Sequence, residues 1–160
     1  MKTSSRHERH MRRCLELARL SSATGDSPVG SVVVDDSEFV SEGVEAVRAR
    51  NDATAHAEIE ALRTAFARRR SRSLAGCTLY TSVEPCVMCA YAIRLARISV
   101  VVSGARSGDS NSAISGCAIL TDGTLLPNHP PPTVIRDVLA AECEALLKDR
   151  GLAGQPGRDS

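Results

Sequence analysis

Residues 77–104 constrain the fold more tightly than any other part of the chain. CTLYTSV (77–83) and ISVVVSG (98–104) are short apolar runs rich in β-branched residues, and both read as strands. Between them, from Cys86 to about Ala96, the pattern is helical, with Pro85 at its mouth. Proline is tolerated there because the first helical N–H groups have no partner to lose. Two strands joined through one helix run parallel, and such crossovers are right-handed. The chain must therefore build a sheet with helices packed against its faces.

The rest of the pattern extends that unit. Met11, Cys14, Leu15, Ala18 and Leu20 recur at helical spacing and predict a first helix to about Ser21. VGSVVV (29–34) reads as a buried strand, DDS as a turn, and EFVSEGV (38–44) as the hairpin partner. RARND is polar and irregular. From about Thr54, alanines with Ile59, Leu62, Ala65 and Phe66 predict a second helix ending near residue 73. A short strand is expected within 117–132, before a proline-rich turn, and a last helix over 133–150. Apart from that short strand, the predicted order, α-β-β-α-β-α-β-α, is an α/β fold: a three-layer α/β/α sandwich around a mixed central sheet. One domain is expected over residues 1–150, with 151–160 as a flexible tail.

Composition narrows the function classes. With 42% apolar and 24% charged residues the chain can bury a core and is not of the disordered class. No apolar run approaches the length of a membrane span, so no membrane partner is expected. A net charge of +1 excludes a strong global field for nucleic acid. The arginines cluster nonetheless, at Arg6, Arg9, Arg12 and Arg13 and at Arg68, Arg69, Arg70 and Arg72. Only two Phe and two Tyr are available as base-stacking platforms. The six cysteines are scattered, and with no export signal a reducing cytoplasm is expected.

Two of those cysteines, Cys86 and Cys89, share one face of the predicted helix start. A disulfide, a redox pair, a structural metal clip and half of a catalytic metal site are all compatible with the pair alone. A second stretch, TAHAEIEAL, places His56 and Glu58 at the start of another predicted helix. Helix N-termini favour thiolates through unpaired N–H groups and the dipole. One imidazole and two thiolates make three ligands of suitable softness for Zn²⁺, leaving a fourth position for water. Glu58 is then placed to take that water's proton without being a ligand.

This combination resembles the cytidine deaminase-like superfamily of zinc deaminases, whose signature is H-x-E followed by P-C-x-x-C. Here it reads His56-Ala57-Glu58 and Pro85-Cys86-Val87-Met88-Cys89. PVGSVVV, DATAHAEIEAL, CTLYTSVEPCVMCAYAI, SVVVSGAR and VLAAECEALL resemble the branch that holds tRNA adenosine deaminases, guanine deaminases and fungal-type cytosine deaminases, over about residues 11–148. The resemblance implies a zinc-dependent hydrolytic deaminase with His56, Cys86 and Cys89 as ligands and Glu58 as the proton shuttle. It implies that backbone N–H groups near Ala57 and Cys86 orient the substrate, and that the protein is a homodimer.

The chain departs from the branch at one informative position. An asparagine commonly ends the second hairpin strand there and hydrogen-bonds the base; this chain has Glu45. An amide both donates and accepts, whereas an ionised carboxylate only accepts. Glu45 therefore favours a ring edge with two donors, and the expected substrate is a small, guanine-like amino-heterocycle, with tRNA adenosine as the alternative. In the loop GARSGDSNSAISG, Asp109 and Asn111 are candidate substrate contacts. His129, in PNHPPP, is read as a surface loop histidine, with a reach into the site from the C-terminal half as the alternative, and His7 and His10 lack the H-E-x-x-H spacing of zinc peptidases.

Overall fold

The computed structural model describes residues 2–36, 38–106 and 116–149. A five-stranded sheet in the order β2-β1-β3-β4-β5 forms its middle layer. β1 (Gly30–Asp35) pairs antiparallel with both β2 (Glu38–Val44) and β3 (Cys77–Val83). β3, β4 (Val100–Ala105) and β5 (Thr133–Ile135) run parallel. The β3–β4 crossover expected from the sequence is present, with α4 (Val87–Leu95) between the strands.

Alternation along the strands sends successive side chains to opposite faces. Val33, Leu79 and Val101 join Ala61, Leu62, Ala65, Ala90 and Ile93, and so pack under α3 (Ala57–Arg69) and α4. Val32, Val34, Tyr80 and Val102 point the other way, into a second cluster with Met11, Cys14, Leu15, Leu17 and Cys143. Those last residues come from α1 (Lys2–Ala23) and α6 (Ala140–Asp149). The three-layer α/β/α sandwich with a mixed sheet is therefore the observed architecture.

Two parts differ from the sequence expectation. RARND carries one helical turn, α2 (Val47–Arg50), whose first N–H groups at Arg48 and Ala49 donate to the buried Asp26 carboxylate. The expected strand within 117–132 is instead a short helix, α5 (Cys117–Thr121), and the strand comes later, as β5. Cys-Ala-Ile-Leu is too short an apolar run to separate helix from strand by periodicity. Thr133-Val134-Ile135 is β-branched and finds the open edge of β4, where Val101 pairs with Val134. Positive φ angles at Asp137 and Leu139 then interrupt the chain, so α6 begins at Ala140 and not near 133.

Close packing sets the helix carrying His56 at a fixed depth. A Cβ on Gly43 of β2 would lie 2.0 Å from the Ala57 carbonyl oxygen and 2.5 Å from the Ala61 nitrogen. Glycine is required here for α3 to touch the sheet, and this contact fixes the start of α3 relative to β2.

Candidate metal centre and active site

The starts of α3 and α4 converge at the carboxyl ends of β3 and β4. His56 occupies the N-cap of α3 and Cys86 the N-cap of α4, both with extended backbone and neither capping with its side chain. Their side chains are thus free to turn toward each other. Cys86 Sγ and Cys89 Sγ each lie 3.6 Å from His56 Nδ1. Tetrahedral coordination with Zn–S near 2.3 Å and Zn–N near 2.05 Å separates sulfur and nitrogen by about 3.6 Å. Among the described residues, His56, Cys86 and Cys89 form the one His/Cys/Asp/Glu group placed to hold a metal, with ligand atoms within 4.8 Å of one another. The three residues fit zinc in donor type and in spacing, and they leave one position open.

The thiols and the imidazole are electrostatically tied. A hydrogen bond from Cys89, aided by His56, holds the Cys86 thiol down at about 4. The hydrogen bond to Cys86 raises His56 to about 9. Cys86 and burial together push Cys89 up. A cation bound here must displace the protons that these groups share.

Glu58 stands beside the triad, 4% exposed. Its Oε2 lies 3.5 Å from Cys89 Sγ and its Oε1 is 3.0 Å from Thr81 Oγ1. Burial raises its pKa. Thr81 Oγ1 is also 3.0 Å from the Val83 carbonyl. A hydroxyl has one hydrogen, so Thr81 can donate to Glu58 when it is ionised. It can turn to Val83 and accept from Glu58 when that carboxyl is protonated. Sequence reasoning missed Thr81, although a signal was there: Cys77, Leu79 and Thr81 alternate onto one face, and a threonine follows two core residues.

Glu45 is a second carboxyl at the site, 8% exposed, and its Oε2 accepts the Ala57 N–H at 2.9 Å. It satisfies one of the orphan N–H groups at the start of α3. The N–H at Ala57 that was expected to face the substrate is therefore engaged by Glu45. Burial raises Glu45 to about 7, against the lowering effects of that N–H and of His56. Asp109 and Asn111 lie outside the described residues. His129 is not part of the metal group; its carbonyl accepts from Arg94. His7 and His10 pack on Tyr80, which belongs to the α1 face of the sheet. Tyr91 is 47% exposed.

Residues 4–105 match the family described as the cytidine and deoxycytidylate deaminase zinc-binding region. The chain is 40% identical over 141 residues to the tRNA-specific adenosine deaminase of Haemophilus influenzae, covering 88% of this chain and 80% of that protein. Its fold is similar to a structure from studies of A-to-I editing by tRNA:A34 deaminases (TM-score 0.78, 32% identity, 87% of this chain and 99% of that one). It is also similar to a guanine deaminase from Nitrosomonas europaea (TM-score 0.77, 29% identity, 91% of this chain and 85% of that one).

Proposed function

The chain belongs to the cytidine and deoxycytidylate deaminase zinc-binding family, and from that premise we propose that this zinc-dependent hydrolytic deaminase converts adenosine in tRNA to inosine. The observation that carries the substrate is the identity of 40% over most of the chain with a protein named for that activity. It reverses the order expected from the sequence, where the small-base reading came first.

In this reading His56, Cys86 and Cys89 hold the zinc. When bound, the metal acidifies water and supplies a nucleophile at neutral pH. Glu58 takes a proton from the attacking water, gives one to the ring nitrogen beside the amino-bearing carbon, and helps ammonia leave. In balance, water and a ring N=C–NH₂ become a ring HN–C=O and ammonia. Thr81 keeps the Glu58 carboxyl oriented in either protonation state.

Glu45 favours a second reading, a free guanine-like ring. An adenine offers only ring acceptors beside its amino group, so Glu45 meets it productively when protonated. A guanine amino group has an N–H next to it, which an ionised Glu45 can accept. Part of each arginine cluster is engaged within the chain: Arg13 pairs with Glu16 and Glu42, Arg12 with Glu8, Arg69 with Asp35, and Arg68 donates to the Val40 carbonyl.

The homodimer is supported by an apolar outer face. Val87, Tyr91 and Leu95 are 40%, 47% and 44% exposed at successive turns of α4, beside a groove that includes Ile59, Leu62 and Phe66. Aligned exposed apolar side chains of this kind mark contact surfaces.

Zinc-loaded protein incubated with unmodified tRNA and, separately, with guanine separates the two substrates. Inosine in the digested tRNA supports the first reading. Xanthine from guanine with tRNA unchanged supports the second.

A further inference from the structure

Arg94 is the largest fully buried side chain of the described residues, at 0% exposure, on the helix that carries Cys89. A buried guanidinium is costly unless its donors are met. All five of its N–H groups are met, and by carbonyl oxygens of one segment. Nε donates to His129, Nη1 to Ile119 and Asp122, and Nη2 to Leu126 and His129, at 2.5–3.0 Å.

That segment, residues 116–129, begins on the backbone of Pro85 and Cys86. The Gly116 N–H donates to the Pro85 carbonyl at 2.9 Å. A Cβ on Gly116 would lie 2.4 Å from Ala90 Cβ and 2.6 Å from the Cys86 carbonyl oxygen. The Leu120 N–H donates back to the Gly116 carbonyl, which couples α5 to this contact. The strap therefore lies along α4, seated on the backbone of Cys86 at one end and gripped by Arg94 near the other.

We propose that Arg94 is a positioning residue for the zinc centre: by gripping the strap it holds Gly116 against Pro85 and Cys86, and so fixes the backbone from which the Cys86 thiolate reaches the metal. Outer contacts that orient ligands typically change metal affinity about 10–100-fold when removed. The inference rests on the zinc reading above, but its test reads the metal and not turnover.

Arg94→Met fills the same space without donors, Arg94→Lys keeps the charge with fewer donors, and Arg97→Met removes an exposed contact to the same strap, at the Asn128 carbonyl. Zn²⁺ affinity is measured by chelator competition, and the Co²⁺-substituted proteins are compared by their visible and thiolate charge-transfer bands. For R94M the expected result is about 10-fold or more weaker Zn²⁺ binding with shifted Co²⁺ bands, an intermediate loss for R94K, and wild-type behaviour for R97M. A folded R94M with wild-type affinity and spectrum overturns the proposal. Should R94M fail to fold by circular dichroism, R94K decides, and wild-type affinity and bands in that variant overturn it. A wild-type protein that binds no Zn²⁺ would refute the zinc reading itself, a distinct outcome.

Discussion

At the scale of single residues, two carboxyls a few ångströms from the triad have been given different tasks by their surroundings. Glu58 is buried against Thr81 and Cys89, which suits a group that must gain and lose a proton. Glu58→Gln keeps the shape and removes that capacity. It should retain one zinc per chain while the rate falls at least about 100-fold, the usual scale of general acid–base catalysis. Zinc analysis beside initial rates checks this, and an undiminished rate would remove Glu58 from the mechanism. Glu45 is raised by burial to about 7. Below that value it is neutral and can donate to a ring acceptor; above it, ionised, it only accepts. The rate on guanine relative to adenosine substrates should therefore rise as pH increases from about 6 to 8, by up to about tenfold per unit. Glu45→Asn, which does not titrate, should flatten the ratio. A ratio independent of pH in the wild type would place Glu45 away from the ring.

At the scale of elements, the site depends on how closely α3 lies on β2. Gly43→Ala must push α3 outward, because its Cβ would meet the Ala57 carbonyl and the Ala61 nitrogen. Overpacking of this kind costs about 1–3 kcal/mol, read as a lower midpoint of thermal unfolding. Activity should fall more than helix content, since α3 carries His56 and Glu58; full activity in a destabilised G43A would mean that α3 relaxes without moving its start. The elements nearest the site were those legible in the sequence. CTLYTSV (77–83) matches β3 at both ends, and H-x-E and P-C-x-x-C fall at helix starts as their spacing predicts. These stretches are strongly periodic and their chemistry is local. β5 and α5 were illegible because three-residue and five-residue elements carry no period of their own. The free edge of β4 selects Thr133–Ile135 as a strand, and Arg94 holds the carbonyls of α5 and the turn after it. Arg94 itself could have been flagged as an arginine one turn past Ala90 on the buried face of a predicted helix. That its partners are carbonyls of a segment 25–35 residues away depends on tertiary structure alone.

At the scale of the whole molecule, the sheet and its two helical layers bring residues 45, 56, 58, 86 and 89 to one end of the parallel strands, and α4 exposes Val87, Tyr91 and Leu95 on its outer side. Tyr91→Glu on that face should convert a dimer to a monomer in sedimentation velocity; a monomeric wild type would argue against the face as an interface. Zinc couples α3 to α4, so its removal should lower the unfolding midpoint. A metal at 1,000 times its Kd adds about 4 kcal/mol to the folded state, and equal midpoints with and without metal would mean the triad does not hold it. The central claim, that hydrolysis depends on this zinc centre, is tested most directly by stripping the metal, titrating Zn²⁺ back and measuring ammonia released from tRNA adenosine and from guanine. The account predicts release on at least one of them, absent from the stripped protein and rising in proportion to zinc up to one per chain. Release that survives complete removal of metal, or none on either substrate with zinc bound, would contradict it.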